Sequence, residues 1–178
     1  MPIIANLILG RDGGTSIGGR SAPLSSSSDR KRFHELRAMS DVIVIGGETS
    51  RREPYGKTPV PLIVVTRSQE VPGTAGANPL AQISNEDIPE TLRSAHTQFH
   101  TVLIEGGANF VAEALAADLI DDLYITQVQT PADGPYFDYA LLNTAFTLIA
   151  PDGPEDLEDL EGNKEEVFLH YARLPQNG

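Results

Sequence analysis

The strongest constraint on how this chain folds is a pair of glycine turns of one design. Each closes a short apolar run and precedes a helical pattern. The first is Val42-Ile43-Val44-Ile45-Gly46-Gly47-Glu48-Thr49 and the second is Val102-Leu103-Ile104-Glu105-Gly106-Gly107-Ala108-Asn109. Runs rich in β-branched residues read as buried strands, and paired glycines let the backbone turn tightly and approach a ligand closely. The first amides of each following helix would then point outward, toward an anion. Two such turns in one small unit predict a ligand with several phosphates, for which a dinucleotide is the economical candidate. The pattern also serves any tight turn. No G-x-G-x-x-G fingerprint or G-x-x-x-x-G-K-[ST] loop accompanies it.

Composition narrows the class. The 178 residues are read as one domain spanning 1–178, large enough to bury a core without staples. The net charge of −12 disfavours nonspecific nucleic-acid binding, which needs cations against phosphate. Residues 152–166 hold eight acids against one lysine and read as a solvated loop. No apolar run approaches the roughly 20 residues of a membrane span, and the first residues show no basic, cleavable leader. Cysteine is absent, which removes disulfides and thiolate metal sites and makes the cytoplasm the expected compartment.

Along the chain, residues 3–9 read as a first strand and residues 11–28 as a long Gly- and Ser-rich loop. Asp29 is the expected cap of a short helix over residues 30–39, with Phe33 and Leu36 inward. Strands follow at 41–45 and 61–66, then a loop over 71–79 and a helix within 85–99. A strand at 100–104 leads to the second glycine turn. The helix after it carries an apolar stripe of Phe110, Val111, Ala114, Leu115 and Leu119. Residues 122–130 read as a strand, and 146–150 with 166–174 as a closing antiparallel hairpin. Alternating strands and helices predict an α/β fold: a mostly parallel central sheet, helices on both faces, and antiparallel C-terminal edge strands. Ligands in such sheets bind at the carboxyl ends of the strands, where both glycine turns fall.

Other residues add hints. Arg67 and Ser68 end a strand at that same edge, where a guanidinium and a hydroxyl suit a terminal phosphate. The four histidines are scattered without metal-ligand spacing, so no metal is expected. No serine sits in a G-x-S-x-G elbow, so no hydrolase nucleophile is indicated.

The order Asp12-Gly13, Ser21, Arg37-Ala38, Ile45-Gly46-Gly47-Glu48-Thr49, Glu53-Pro54-Tyr55 and Glu105-Gly106-Gly107 resembles the RibD C-terminal domain family. These are the reductase domains of riboflavin biosynthesis, dihydrofolate-reductase-like in fold. The resemblance implies NADPH as cofactor. Gly46, Gly47 and Thr49 would contact it, Gly106, Gly107, Ala108, Asn109 and Phe110 would receive the pyrophosphate, and Arg67 and Ser68 the adenosine 2′-phosphate. It implies a small-molecule substrate, 5-amino-6-(5-phosphoribosylamino)uracil or a close analogue, reduced to the ribityl form. Ser21, Arg37, Glu53, Lys57 and Glu105 would bind it. Glu53 would act catalytically by orienting polar groups or relaying a proton, and Arg37 would take the substrate's polar or phosphate end. A homodimer is the family's usual state. The chain departs from the family pattern at four places. Gly14 stands where a basic residue is common, Pro23 follows Ser21 in place of an aromatic residue, and Glu53 stands where Asp is common. Lys57 alone could replace a phosphate-reading arginine. Two alternatives stay open: the same fold acting on a pterin, folate or other substrate, and a non-catalytic NADPH-binding protein.

Overall fold

A computed structural model describes residues 1–152 and 166–175. The expected acidic loop lies almost wholly outside them. The elements are β1 (Ile3–Leu9), β2 (Gly14–Ser16), α1 (Ser27–Ala38), β3 (Val42–Gly46), α2 (Gly47–Arg52), β4 (Leu62–Val65), β5 (Ala81–Ser84), α3 (Ile88–Gln98), β6 (Val102–Glu105), α4 (Ala108–Ala116), β7 (Asp122–Val128), β8 (Asp133–Tyr136), β9 (Phe146–Asp152) and β10 (Glu166–Arg173). Short 3-10 helices occupy Gly73–Ala77 and Tyr139–Ala145.

Among the described residues the central sheet runs β5-β4-β3-β6-β1-β7-β10-β9. The first six strands in that order are mutually parallel. β10 is antiparallel to both β7 and β9, the expected closing edge. The chain moves outward from β3 to β5 and then returns, so β6 slots between β3 and β1. That insertion sets the two glycine turns side by side at the carboxyl ends of adjacent strands.

Alternation along each strand distributes the core between two faces. Ile3, Ala5, Val42, Val44, Val102 and Ile104 pack against α3 and α4 through Leu92, Ala95, Val111 and Ala114. Ile4, Ile43, Ile45 and Leu103 pack on the opposite face with Leu36 of α1. Glu105 shares the parity of Leu103 and so projects on the α1 side. No helix among the described residues is long and apolar enough to cross a membrane.

Two local expectations are corrected and one strand is added. The helix cap is Ser26, three residues before Asp29; its Oγ accepts from the Asp29 N–H at 3.0 Å. Four consecutive serines offer no register, and Asp29 occupies the third helical position, where an acid favours the helix dipole. The 11–28 segment is not unstructured throughout: β2 pairs with β8, joining Gly14 to Tyr136. β5 adds a further parallel edge strand, paired from Leu62↔Ala81 to Val65↔Ser84.

Candidate active site

A cleft of 420 Å³ opens between α1, the ends of β1 and β6, the first turn of α2 and the loop over residues 15–25. The second glycine turn forms part of its wall. A Cβ on Gly46 would lie 3.1 Å from the Phe110 ring, and one on Gly106 would lie 3.1 Å from the Phe110 Cβ. Phe110, 7% exposed, therefore fills the joint between the two turns. Gly107 differs: a Cβ there would meet no protein atom within 4 Å, so packing does not explain its bare backbone. It caps α4 with no side-chain bond to the helix amides. Open space and uncapped amides together suit an anionic group approaching the chain.

One side of the cleft centres on an ion pair. Arg37 Nε and Nη2 donate to Glu105 Oε1 and Oε2, each at 2.7 Å. The two side chains are 11% and 3% exposed. Tyr55 Oη donates to Glu105 Oε2 at 2.8 Å. The guanidinium also lies 4.1 Å from the Phe33 ring centre and 5.4 Å from that of Tyr55. Burial opposes the charge of Arg37, but the bonds to Glu105 outweigh it and hold the guanidinium above its ordinary value. Burial, then the Glu105 carboxylate, push the Tyr55 phenol well above its ordinary value, so it remains a hydrogen-bond donor.

Glu53 follows α2 in extended backbone and reaches back across the cleft mouth. Its Oε1 accepts the Ser21 N–H at 2.7 Å. Two other acids near it are already engaged, Glu105 by Arg37 and Glu48 by Arg51 and Arg52. No cation pairs with Glu53 among the described residues. Asp12, by contrast, stands outside the cleft. Its Oδ1 accepts from the Ala132 and Gly14 amides at 3.0 and 3.2 Å. The bond from Ala132 is the main cause of a carboxyl held below its ordinary range. Asp12-Gly13 thus fastens the β1–β2 turn to the segment before β8.

Ser21, Arg37, Glu53, Glu105, Thr49, Gly106 and Gly107 line the one cleft. Gly46 and Gly47 are not among its lining residues. Ala108 and Phe110 are buried and Asn109 is exposed at the start of α4. Arg67 is exposed beyond β4, on the same sheet edge but outside the cleft. Ser68 is held in a turn, with its carbonyl accepting from Asn85 Nδ2 at 3.0 Å. Lys57 is exposed and does not line the cleft. Sequence reasoning missed Tyr55 as a partner of Glu105, and Asp29, Arg30 and Phe33 as cleft residues. The helical spacing Arg30, Phe33, Arg37 could have revealed one face of α1.

The chain matches the family described as the RibD C-terminal domain over residues 2–129. A curated relative, the chloroplastic riboflavin biosynthesis protein PYRR of Arabidopsis thaliana, is 34% identical over 101 residues. That match covers 52% of this chain and 16% of the plant protein, so the chain corresponds to a small part of it. A pyrimidine reductase-like protein from Corynebacterium diphtheriae superposes with a TM-score of 0.72 at 17% identity, covering 98% of this chain and 92% of that one. Dihydrofolate reductase from Enterococcus faecalis, complexed with NADP(H), gives 0.69 at 19% identity, covering 98% and 97%. A deaminase/reductase from Thermotoga maritima gives 0.64 at 16% identity, covering 97% and 56%. These likenesses show a dihydrofolate-reductase-like fold.

Proposed function

The chain belongs to the RibD C-terminal domain family, and from that premise we propose that it is an NADPH-dependent reductase. Its substrate is 5-amino-6-(5-phosphoribosylamino)uracil or a close analogue. One observation carries the reading: Gly106–Gly107, the Arg37–Glu105 pair and Glu53, far apart in sequence, all face one cleft. The open space at Gly107 and the uncapped start of α4 fit a pyrophosphate. Gly107, Ala108, Asn109 and Phe110 would hold it, with Thr49 beside them and Arg67 and Ser68 toward the 2′-phosphate.

The chemistry that NADPH contributes when bound is a hydride for C1′ of the substrate's imine-like isomer. The chain's own work is positioning and protonation. Ser21 fixes one oxygen of Glu53, leaving the other to accept a substrate N–H or O–H or to relay a proton. Glu105 is occupied by three donors and acts as a structural anion for Arg37. The family's homodimer and a cytoplasmic location belong to the same proposal. The edge strand β9 exposes Leu148 and Ile149, and sedimentation equilibrium is expected to give twice the chain mass.

Calorimetric titration should show NADPH binding more tightly than NADH. A dissociation constant weaker than about 1 mM for both, near 4 kcal/mol of binding, would sink the reductase reading. Gly107→Val is expected to weaken NADPH at least ~10-fold while lowering folding stability by no more than about 1 kcal/mol for the poorer helix cap, because the new side chain enters empty space. A second reading, a pterin or folate substrate, is favoured by the exposed position of Lys57, which leaves no lysine for substrate phosphate among the described residues that line the cleft. Following NADPH oxidation with each compound decides between them: turnover of dihydrofolate alone selects the second.

A further inference from the structure

We propose that Arg30 reads the substrate's phosphate and that Arg37 reads the neutral ring, which orients the substrate along α1. This rests on the phosphoribosylamino pyrimidine reading above. Among the described residues three arginines line the cleft: Arg30, Arg37 and Arg52. Arg37 is neutralised by Glu105 through two 2.7 Å bonds on one edge and flanked by two aromatic rings. A guanidinium so engaged can still donate to a carbonyl oxygen, but its charge is already matched and its fork is taken. Arg52 lies 3.3 Å from Glu48. Arg30 is exposed at the cleft wall and has no ion-pair partner among the described residues. Its neighbour Asp29 is turned inward, 7% exposed, with Oδ2 accepting from Ser25 Oγ.

Helix geometry links the two arginines. Arg30, Phe33 and Arg37 are spaced i, i+3, i+7, so they form one stripe on the cleft face. Seven residues rise about 10 Å, the order of reach of a ribose set between a heterocycle and a 5′-phosphate. Ring at Arg37, sugar along Phe33 and phosphate at Arg30 follows from that spacing. Lys57, the expected phosphate reader, takes no part.

The test compares the phosphorylated substrate with its dephosphorylated counterpart in wild type, Arg30→Gln and Lys57→Gln, with NADPH affinity measured in parallel. Arg30→Gln is expected to lower the kcat/KM ratio of phosphorylated over dephosphorylated substrate about 10- to 100-fold, the range for loss of a charge-assisted contact, with NADPH affinity retained. An unchanged ratio, an equal loss on both substrates, or the selective loss appearing in Lys57→Gln would overturn the assignment while leaving the reductase reading intact. If wild type oxidises NADPH with neither compound, the substrate reading fails and this assignment falls with it.

Discussion

Arg37→Met is expected to lower the free energy of unfolding by about 3–5 kcal/mol, the range for breaking a buried ion pair from one side. The change strands Glu105, 4% exposed, with the Tyr55 hydroxyl as its one remaining side-chain partner among the described residues. Glu105→Gln should do comparable harm by stranding the guanidinium between Phe33 and Tyr55. The double substitution Arg37→Met with Glu105→Gln removes both charges and should recover much of either loss, because the pair's own net contribution is small next to the penalty of an orphaned charge. Urea unfolding of the four proteins closes the cycle. A single variant losing under ~1 kcal/mol would mean that water already reaches the pair.

That pair also marks the limit of what the residue order discloses. The sheet was legible because Val42–Ile45 and Val102–Ile104 are uninterrupted apolar runs closed by glycines, and because Phe110, Val111, Ala114 and Leu115 repeat at helical spacing. The order of Ser21, Arg37, Glu53 and Glu105 was legible as a family pattern, and the cleft brings these four together. Their partners were not. Nothing local in Glu53-Pro54-Tyr55 says that the phenol meets a carboxylate fifty positions later. β2 and β8 were invisible for a related reason. Gly-Thr-Ser falls in the segment read as a loop and Asp-Gly-Pro-Tyr carries no strand pattern, and they become strands through pairing across more than a hundred residues. β5 has a single strongly apolar residue, Ile83, because an edge strand needs little more. Lys57 was misplaced because spacing after an acidic residue says nothing about which way the following loop leaves the cleft.

Glu53→Gln is expected to reduce kcat by about 10²- to 10⁴-fold, the span of a lost acid–base group, while NADPH affinity and folding stability hold. The backbone around Glu53 is fixed independently of its side chain, with Glu53 N–H donating to the Thr49 carbonyl at 2.9 Å and its own carbonyl accepting from Thr74 Oγ1 at 3.0 Å. A glutamine can keep the Ser21 contact through its amide oxygen. Its second position then presents an NH₂ group that donates and cannot exchange a proton at neutral pH. Glu53→Asp separates the two functions. The carboxylate is retained but withdrawn by one methylene from the Ser21 amide, so the loss should fall between wild type and Glu53→Gln and be shared between kcat and KM. Pre-steady-state mixing with NADPH and substrate, repeated across pH, reads the effect on the chemical step directly. An unchanged rate in Glu53→Gln would remove this carboxylate from proton transfer and leave it a positional role through Ser21. A rate that falls and loses its pH dependence identifies Glu53 as the group whose protonation the step requires, since the remaining acids beside it are either paired with arginine or, like Asp29, turned toward Ser25.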